Sequence, residues 1–415
     1  MKRGRAALLV VGAMLAALAA MTVAMATAQV PPGSAGVLDF SAAEWQRVQR
    51  HGPWPPPPAP DPGNRLSGNP QAIALGQQLF FDPRLSGDGN LSCASCHNPA
   101  RAFTDGLPRG VGRVEVDRNT PTVWNASHAR WQTWDGAADS IWSQSIRALT
   151  DPREMASNPG QIARAIAADP ALACRWQQLF GEKPAKDSPA TLVNAAKAIG
   201  AFTATLVSGA TPFDQFRDAL ANGDARAAAQ YPLSAQRGLR IFVGTGQCTV
   251  CHVGPNFSNG EFGDIGRPFF LRPGEVDTGR HGGILALRAS VYNLLSPWAD
   301  KPAGQSAGAQ TVKTRHVDLQ HRNFGEFKVP SLRNVADTAP YTHDGQLTTL
   351  EAMVEHYSSL DMERLHADGE QILKPLGLTQ AESADLVAFL KSLSDPAASH
   401  WKPAPLAPCT AKTRG

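Results

Sequence analysis

Two five-residue runs, Cys93-Ala94-Ser95-Cys96-His97 and Cys248-Thr249-Val250-Cys251-His252, constrain this chain more than anything else in it. Each places two thiols three positions apart with an imidazole directly after the second, which is the signature of covalent haem attachment. The thiols add across the two vinyl groups of the porphyrin, and the histidine supplies the proximal nitrogen to iron. A structural zinc site with cysteine ligands is the competing reading. It does not account for the histidine that closes each run, nor for the similar helical lead-in that precedes each. The chain therefore reads as a carrier of two covalently bound c-type haems, with Cys93, Cys96 and His97 holding one and Cys248, Cys251 and His252 the other.

The compartment follows from the first residues. Lys2, Arg3 and Arg5 precede an uncharged apolar run from Ala6 to Ala28 that ends in Ala26-Thr27-Ala28, the pattern of a cleaved secretory signal. An uncleaved membrane anchor is the alternative, since the run is long enough to span a bilayer. Export to the periplasm fits covalent haem attachment, which bacteria perform outside the cytoplasm. A net charge of +3 and the lack of any basic stretch argue against nucleic acid as a partner. Cys174 and Cys409 are left over from the haem motifs, and an oxidising compartment allows them to pair.

Residues 29–65 are rich in proline and glycine and read as a surface segment without regular structure. From Gln71 an apolar pattern with Ile73, Leu75, Leu79 and Phe80 predicts a helix leading into the first motif. Further helices are expected at 138–149, around 160–180 and at 189–208. Gly238, Ile241 and Phe242 before the second motif match Gly76, Leu79 and Phe80 in kind, and the pattern at 381–393 resembles that at 195–206. Two copies of helix, motif, loop and helix predict a mainly α fold with two cytochrome c-like haem domains, 66–230 and 231–395. A loop-rich insertion with short helices is expected between Gly254 and Lys328, and residues 396–415 form a tail.

The stretch from about 66 to 394 resembles the bacterial di-haem cytochrome c peroxidases and their MauG-type relatives. The likeness rests on LGQQLFFDPRLSGDGNLSCASCHNP, NTPTV, TWDG and VPSLRNVADTAPYTHDGQLTTLEAMVEHY. It implies a peroxide-reacting haem in the N-terminal domain and an electron-transfer haem in the C-terminal one. It also implies His97 and His252 as proximal ligands, Gln144 and Glu154 as the pair above the peroxide haem, and Trp134 as the indole between the haems. Asn119, Thr338 and Pro340 match a calcium site, the last two through backbone carbonyls. In many peroxidases of this family a histidine in the loop after the first motif blocks the peroxide iron until the other haem is reduced; here Asn98 to Arg118 contain no histidine. Where those enzymes place a methionine ligand to the second iron, this chain has Tyr357, as MauG-type enzymes do; Met353 and His356 are the alternatives. MauG's proline in the peroxide pocket corresponds to Ala148.

The resemblance thus implies an oxidoreductase of the cytochrome-c peroxidase kind, reducing hydrogen peroxide with electrons from a small redox protein such as a cytochrome c or cupredoxin. A MauG-type enzyme that turns peroxide-derived oxidising equivalents on a partner protein's side chain is the second reading. A plain electron-transfer cytochrome is the third. His128, His281, His316, His321 and His366 are expected to be surface or hydrogen-bonded histidines, and His343 to bond a haem propionate or the backbone.

Overall fold

A computed structural model describes residues 36–267, 270–272, 274–301, 308–364 and 372–409. The expected signal segment and His366 lie outside these residues. The described chain is mainly helical, and its strands are short: Phe262–Gly263 pairs antiparallel with Phe327–Lys328, and Phe270–Arg272 with Glu275–Val276. None of the described helices is long and apolar enough to cross a membrane.

Five helices share one start signal, a polar cap followed by proline: Asn69-Pro70, Asn158-Pro159, Asp169-Pro170, Ser188-Pro189 and Thr211-Pro212. The cap side chain accepts from the first orphan amides, and proline fills a position whose N–H has no partner within the helix. The same device corrects one expectation. The helical pattern around 160–180 is two helices, Pro159–Ala167 and Pro170–Phe180, because Asp169-Pro170 ends one and caps the next. The following helix, Pro189–Thr203, stops before residue 208.

Two helix pairs frame the two motifs. Pro70–Phe81 crosses Pro189–Thr203 at Gly76, where an added Cβ would lie 1.9 Å from the Ala198 carbonyl oxygen. Leu233–Val243 crosses Gln380–Lys391 at Gly238, where it would lie 2.0 Å from that of Asp385. Only glycine lets backbones approach this closely, so the two matched glycines set equivalent crossings. One apolar core gathers Leu75, Phe80, Phe103, Trp142, Ile199 and Phe202 around the first pair. The other gathers Trp45, Phe213, Leu239, Phe242, Phe257 and Phe389 around the second.

The chain ends are exchanged between these cores. The N-terminal segment is not devoid of regular structure: Ala42–Gln49 is a helix opened by a Ser41–Glu44 capping box, and it buries Trp45 and Val48 in the C-terminal core. A two-residue apolar stripe beside a proline run carries too little periodicity to be seen in sequence. In return, residues 396–409 run back to the N-terminal core, where Ala398 is buried and Trp401 packs against it. Cys174 and Cys409 are disulfide-bonded there, with Cα atoms 6.0 Å apart. The insertion contains the expected short helices, Arg280–Ala289 and Gly308–Arg315, together with the strand pairs that were not foreseen.

Candidate haem sites

Each motif is a single tight turn that aims its thiols and imidazole the same way. Cys93–Cys96 is one helical turn after Ser92, and the His97 amide donates to the Cys93 carbonyl at 2.8 Å. Cys248–Val250 forms a 3-10 turn, and the His252 amide likewise donates to the Cys248 carbonyl at 2.8 Å. All four thiols are free. Burial pushes the Cys93 and Cys248 thiols up to about 12, so both are held as neutral thiols.

The imidazoles are prepared for metal binding by what lies behind them. His97 Nδ1 donates to the Phe103 carbonyl at 3.1 Å, and His252 Nδ1 to the Phe257 carbonyl at 2.9 Å. A carbonyl can only accept, so the proton sits on Nδ1 and the Nε2 lone pair is left for iron. Burial lowers both imidazoles, His252 to about 4, which keeps them neutral as ligation requires. Phe103 and Phe257 both adopt left-handed backbone, φ 58° and 50°, which bulky residues avoid. Thr122 donates to the carbonyl before Phe103 at 2.6 Å, and Ser331 to the carbonyl before Phe257 at 2.8 Å. The donor set fits two c-type haems.

A second repeat, finer than the one visible in composition, relates the segments that follow. Asn125, Thr133 and Gly136 have φ 61°, 64° and 67°; Asn334, Thr342 and Gly345, at the same spacing, have 60°, 74° and 62°. The isolated bridge Gln132–Ala138 recurs as Tyr341–Leu347. Ser140 and Thr349 then cap the helices Ile141–Thr150 and Leu350–Ser358. In this register Trp134 matches His343, Gln144 matches Met353, and Ala148 matches Tyr357. The signal lay in sequence as WNASHARWQTWDG and RNVADTAPYTHDG, but few identities survive between the copies.

The two sites therefore differ on one helix face. On the first, Gln144 leaves its Oε1 buried without a hydrogen-bond partner, and Ala148 offers no ligand atom. Glu154 stands nearby, half-buried. Burial raises its carboxyl above the ordinary value, Asp151 adds to this, and Arg147 and Arg153 oppose it. Its charge acts on both Cys93 and Cys96, which places it at the first motif. The loop without histidine covers it, with the Arg113 amide donating to the Glu154 carbonyl at 3.2 Å.

On the second helix, burial raises the Tyr357 phenol, and the Cys248 and Cys251 thiols raise it further, so the hydroxyl is within electrostatic reach of the second motif. His356 Nε2 instead donates to the Ile265 carbonyl at 2.7 Å, and Met353 is half-buried one turn earlier.

Trp134 lies where the two halves meet. Its indole donates to the Asn119 carbonyl at 2.9 Å, and its own carbonyl accepts from the Lys328 amide at 2.7 Å. The Asn119 amide donates to the His343 carbonyl at 2.8 Å, so the segments bearing Asn119, Thr338 and Pro340 are neighbours. The Asn119 side chain donates to the Leu107 carbonyl and the Thr338 hydroxyl to that of Val335. Among the described residues no cluster of three or more His, Cys, Asp or Glu is arranged to hold a metal ion.

His128 is half-buried, presses its ring edge on Trp54 and leaves Nε2 buried without a partner. His343 stacks face to face on Phe327, centroids 3.4 Å apart. His316 is exposed, and His281 and His321 flank Phe324. His51, not singled out in sequence, is buried; its Nε2 lies 3.0 Å from the His252 carbonyl oxygen and its ring stacks on Phe257.

Comparison with known proteins agrees with this geometry. The family model for di-haem cytochrome c peroxidase matches residues 70–222. The methylamine utilization protein MauG of Methylorubrum extorquens is 35% identical over 332 residues, 79% of this chain and 80% of that protein. Cytochrome-c peroxidase IdrP2 of a Pseudomonas species is 33% identical, covering 82% and 84%. A MauG-like protein associated with microbial copper homeostasis superposes with a TM-score of 0.60 at 27% identity, over 84% of this chain and 97% of its own. The diheme peroxidase BthA of Burkholderia thailandensis shares the fold, with a TM-score of 0.62 at 23% identity. With two haem-binding motifs in matched frames and relatives of this extent, the chain belongs to the di-haem cytochrome c peroxidase and MauG family of oxidoreductases.

Proposed function

We propose that this protein is an exported peroxidase that reduces hydrogen peroxide to water at the His97 haem, with electrons entering at the His252 haem and crossing through Trp134. In this reading residues 66–230 and 231–395 are cytochrome c-like haem domains, and a small redox protein is the donor. One observation carries it: the same helix frame presents Ala148 at the first site and Tyr357 at the second. An alanine leaves space for peroxide, and a tyrosine fills the equivalent space with an oxygen ligand.

When bound, the haems supply the two electrons that turn one peroxide and two protons into two waters. The chain does the rest. His97, held neutral with Nε2 free, fixes the first haem. Glu154 takes the first proton from peroxide and returns it to the leaving oxygen, and the unpartnered Gln144 amide orients the bound peroxide. Tyr357 closes the second site, so small molecules react only at the first. A calcium ion held by Asn119 and the Thr338 and Pro340 carbonyls would steady the junction; metal analysis of the isolated protein showing no calcium would remove it.

The MauG-type reading keeps the same site and changes the reductant, and the pairing of Tyr357 with a histidine-free loop favours it. Peroxide turnover measured with reduced cytochrome c, and separately with candidate partner proteins, decides between the two. Trp134→Phe tests the shared path: Phe preserves much of the packing and is far harder to oxidise. Near-normal haem content with impaired transfer between the haems is expected. Normal turnover and normal sharing of oxidising equivalents would leave Trp134 a packing residue.

A further inference from the structure

We propose that the C-terminal strap, residues 396–409, positions the proximal ligand of the first haem, with Trp401 as its wedge and the Cys174–Cys409 bond as its latch. The inference rests on the assignment of His97 as that ligand.

The path from strap to iron is short. His97 Nδ1 donates to the carbonyl of Phe103, so the donor strength and orientation of His97 depend on where that carbonyl stands. Ala102 and Phe103 are both left-handed, φ 50° and 58°. Such backbone persists only where surrounding structure over-determines it. The Phe103 ring is held by Phe80 at 6.3 Å, Trp124 at 5.0 Å and Trp401 at 5.1 Å between centroids. Phe80 and Trp124 belong to the core around the first motif; Trp401 arrives from the other end of the chain.

Trp401 is also wedged against Phe81, Trp124 and Phe202, and the strap beyond it is fastened at successive points. Gln77 donates to the Ala404 carbonyl at 2.7 Å, Arg175 donates to that of Ala407, and Cys409 bonds Cys174 two residues later. Cys174 lies on the Pro170–Phe180 helix, part of the same core.

The second site has a counterpart built from the opposite chain end. His51 stacks on Phe257 with centroids 4.5 Å apart, and Trp54 lies 3.7 Å from Arg333, the residue that matches Trp124 in the internal repeat. Each proximal phenylalanine is thus braced by a segment far from it in sequence. Only the brace at the first site is closed by a disulfide among the described residues. The strap therefore bears on one haem and leaves the other alone.

The test uses full-length holoprotein and follows each haem separately by its ferric EPR signal and its reduction potential. Trp401→Ala is expected to alter the His97 haem signal and raise its potential, because a loosened Phe103 carbonyl weakens the proximal donor. Its reaction with peroxide slows by about tenfold. The His252 haem is unchanged, and Trp401→Phe restores most of the native signal. Cys409→Ser, which keeps the tryptophan but opens the latch, shifts the same haem in the same direction and decides the matter if Trp401→Ala fails to fold. Native signals in both Trp401→Ala and Cys409→Ser, or equal shifts at the two haems, overturn the strap. A first-motif haem without imidazole ligation in the unmodified protein overturns the His97 assignment instead, and the strap with it.

Discussion

Glu154→Gln is expected to retain both haems and to slow peroxide cleavage by about two to four decades, the usual worth of a positioned acid/base. The amide keeps the size of the side chain but can neither take nor return the proton. The pH dependence carries a second signature. Burial raises the Glu154 carboxyl, so its base form appears only as pH rises through a value above the ordinary carboxylate range. The rate of reaction with peroxide should accordingly fall on its acidic side at that raised value, and this limb should vanish in Glu154→Gln. Stopped-flow kinetics across pH measures both. Peroxide kinetics unchanged by the substitution would remove Glu154 from the chemistry.

Tyr357→Phe is expected to convert the ferric spectrum of the second haem and to raise its reduction potential. An oxygen donor favours ferric iron, whereas a thioether raises the potential, and axial ligand choice spans about 0.8 V across haem proteins. A rise on the order of 100 mV is therefore in range. Burial holds the phenol protonated in the protein alone, so its ionised form depends on iron taking the proton's place. The substitution deletes one hydroxyl and little packing. Met353→Leu is the control: if it changes the ferric spectrum and Tyr357→Phe does not, the ligand is Met353.

What could be read in advance followed the strength of local signals. The two motifs were legible because their chemistry requires fixed spacing, and the helices over Gly76 and Gly238 because their apolar faces repeat. Cys174 and Cys409 were legible by parity, because the two motifs take the other four cysteines. The break at Asp169-Pro170 had a local signal too, but apolar residues on both sides masked it. Long-range features were hidden for a different reason. His51 and Trp401 pack at or beside motifs some 200 and 300 residues away, and no periodicity announces a contact delivered by the opposite chain end. The left-handed turns at Phe103 and Phe257 were equally invisible, since phenylalanine is a residue that local preference keeps out of that conformation. The register that sets Ala148 against Tyr357 left a faint trace in sequence, and the backbone geometry shared by segments with few identical residues makes it plain.

On the proposed function the first iron stands open and the second closed in the resting protein. Mixing the diferric protein with one equivalent of hydrogen peroxide, and following the absorption bands of both haems by stopped flow, tests it most directly. A prompt spectral change without prior reduction, reversed by added reduced cytochrome c or a candidate partner protein, is the predicted result. A diferric protein that stays inert toward peroxide until one haem has been reduced would contradict it.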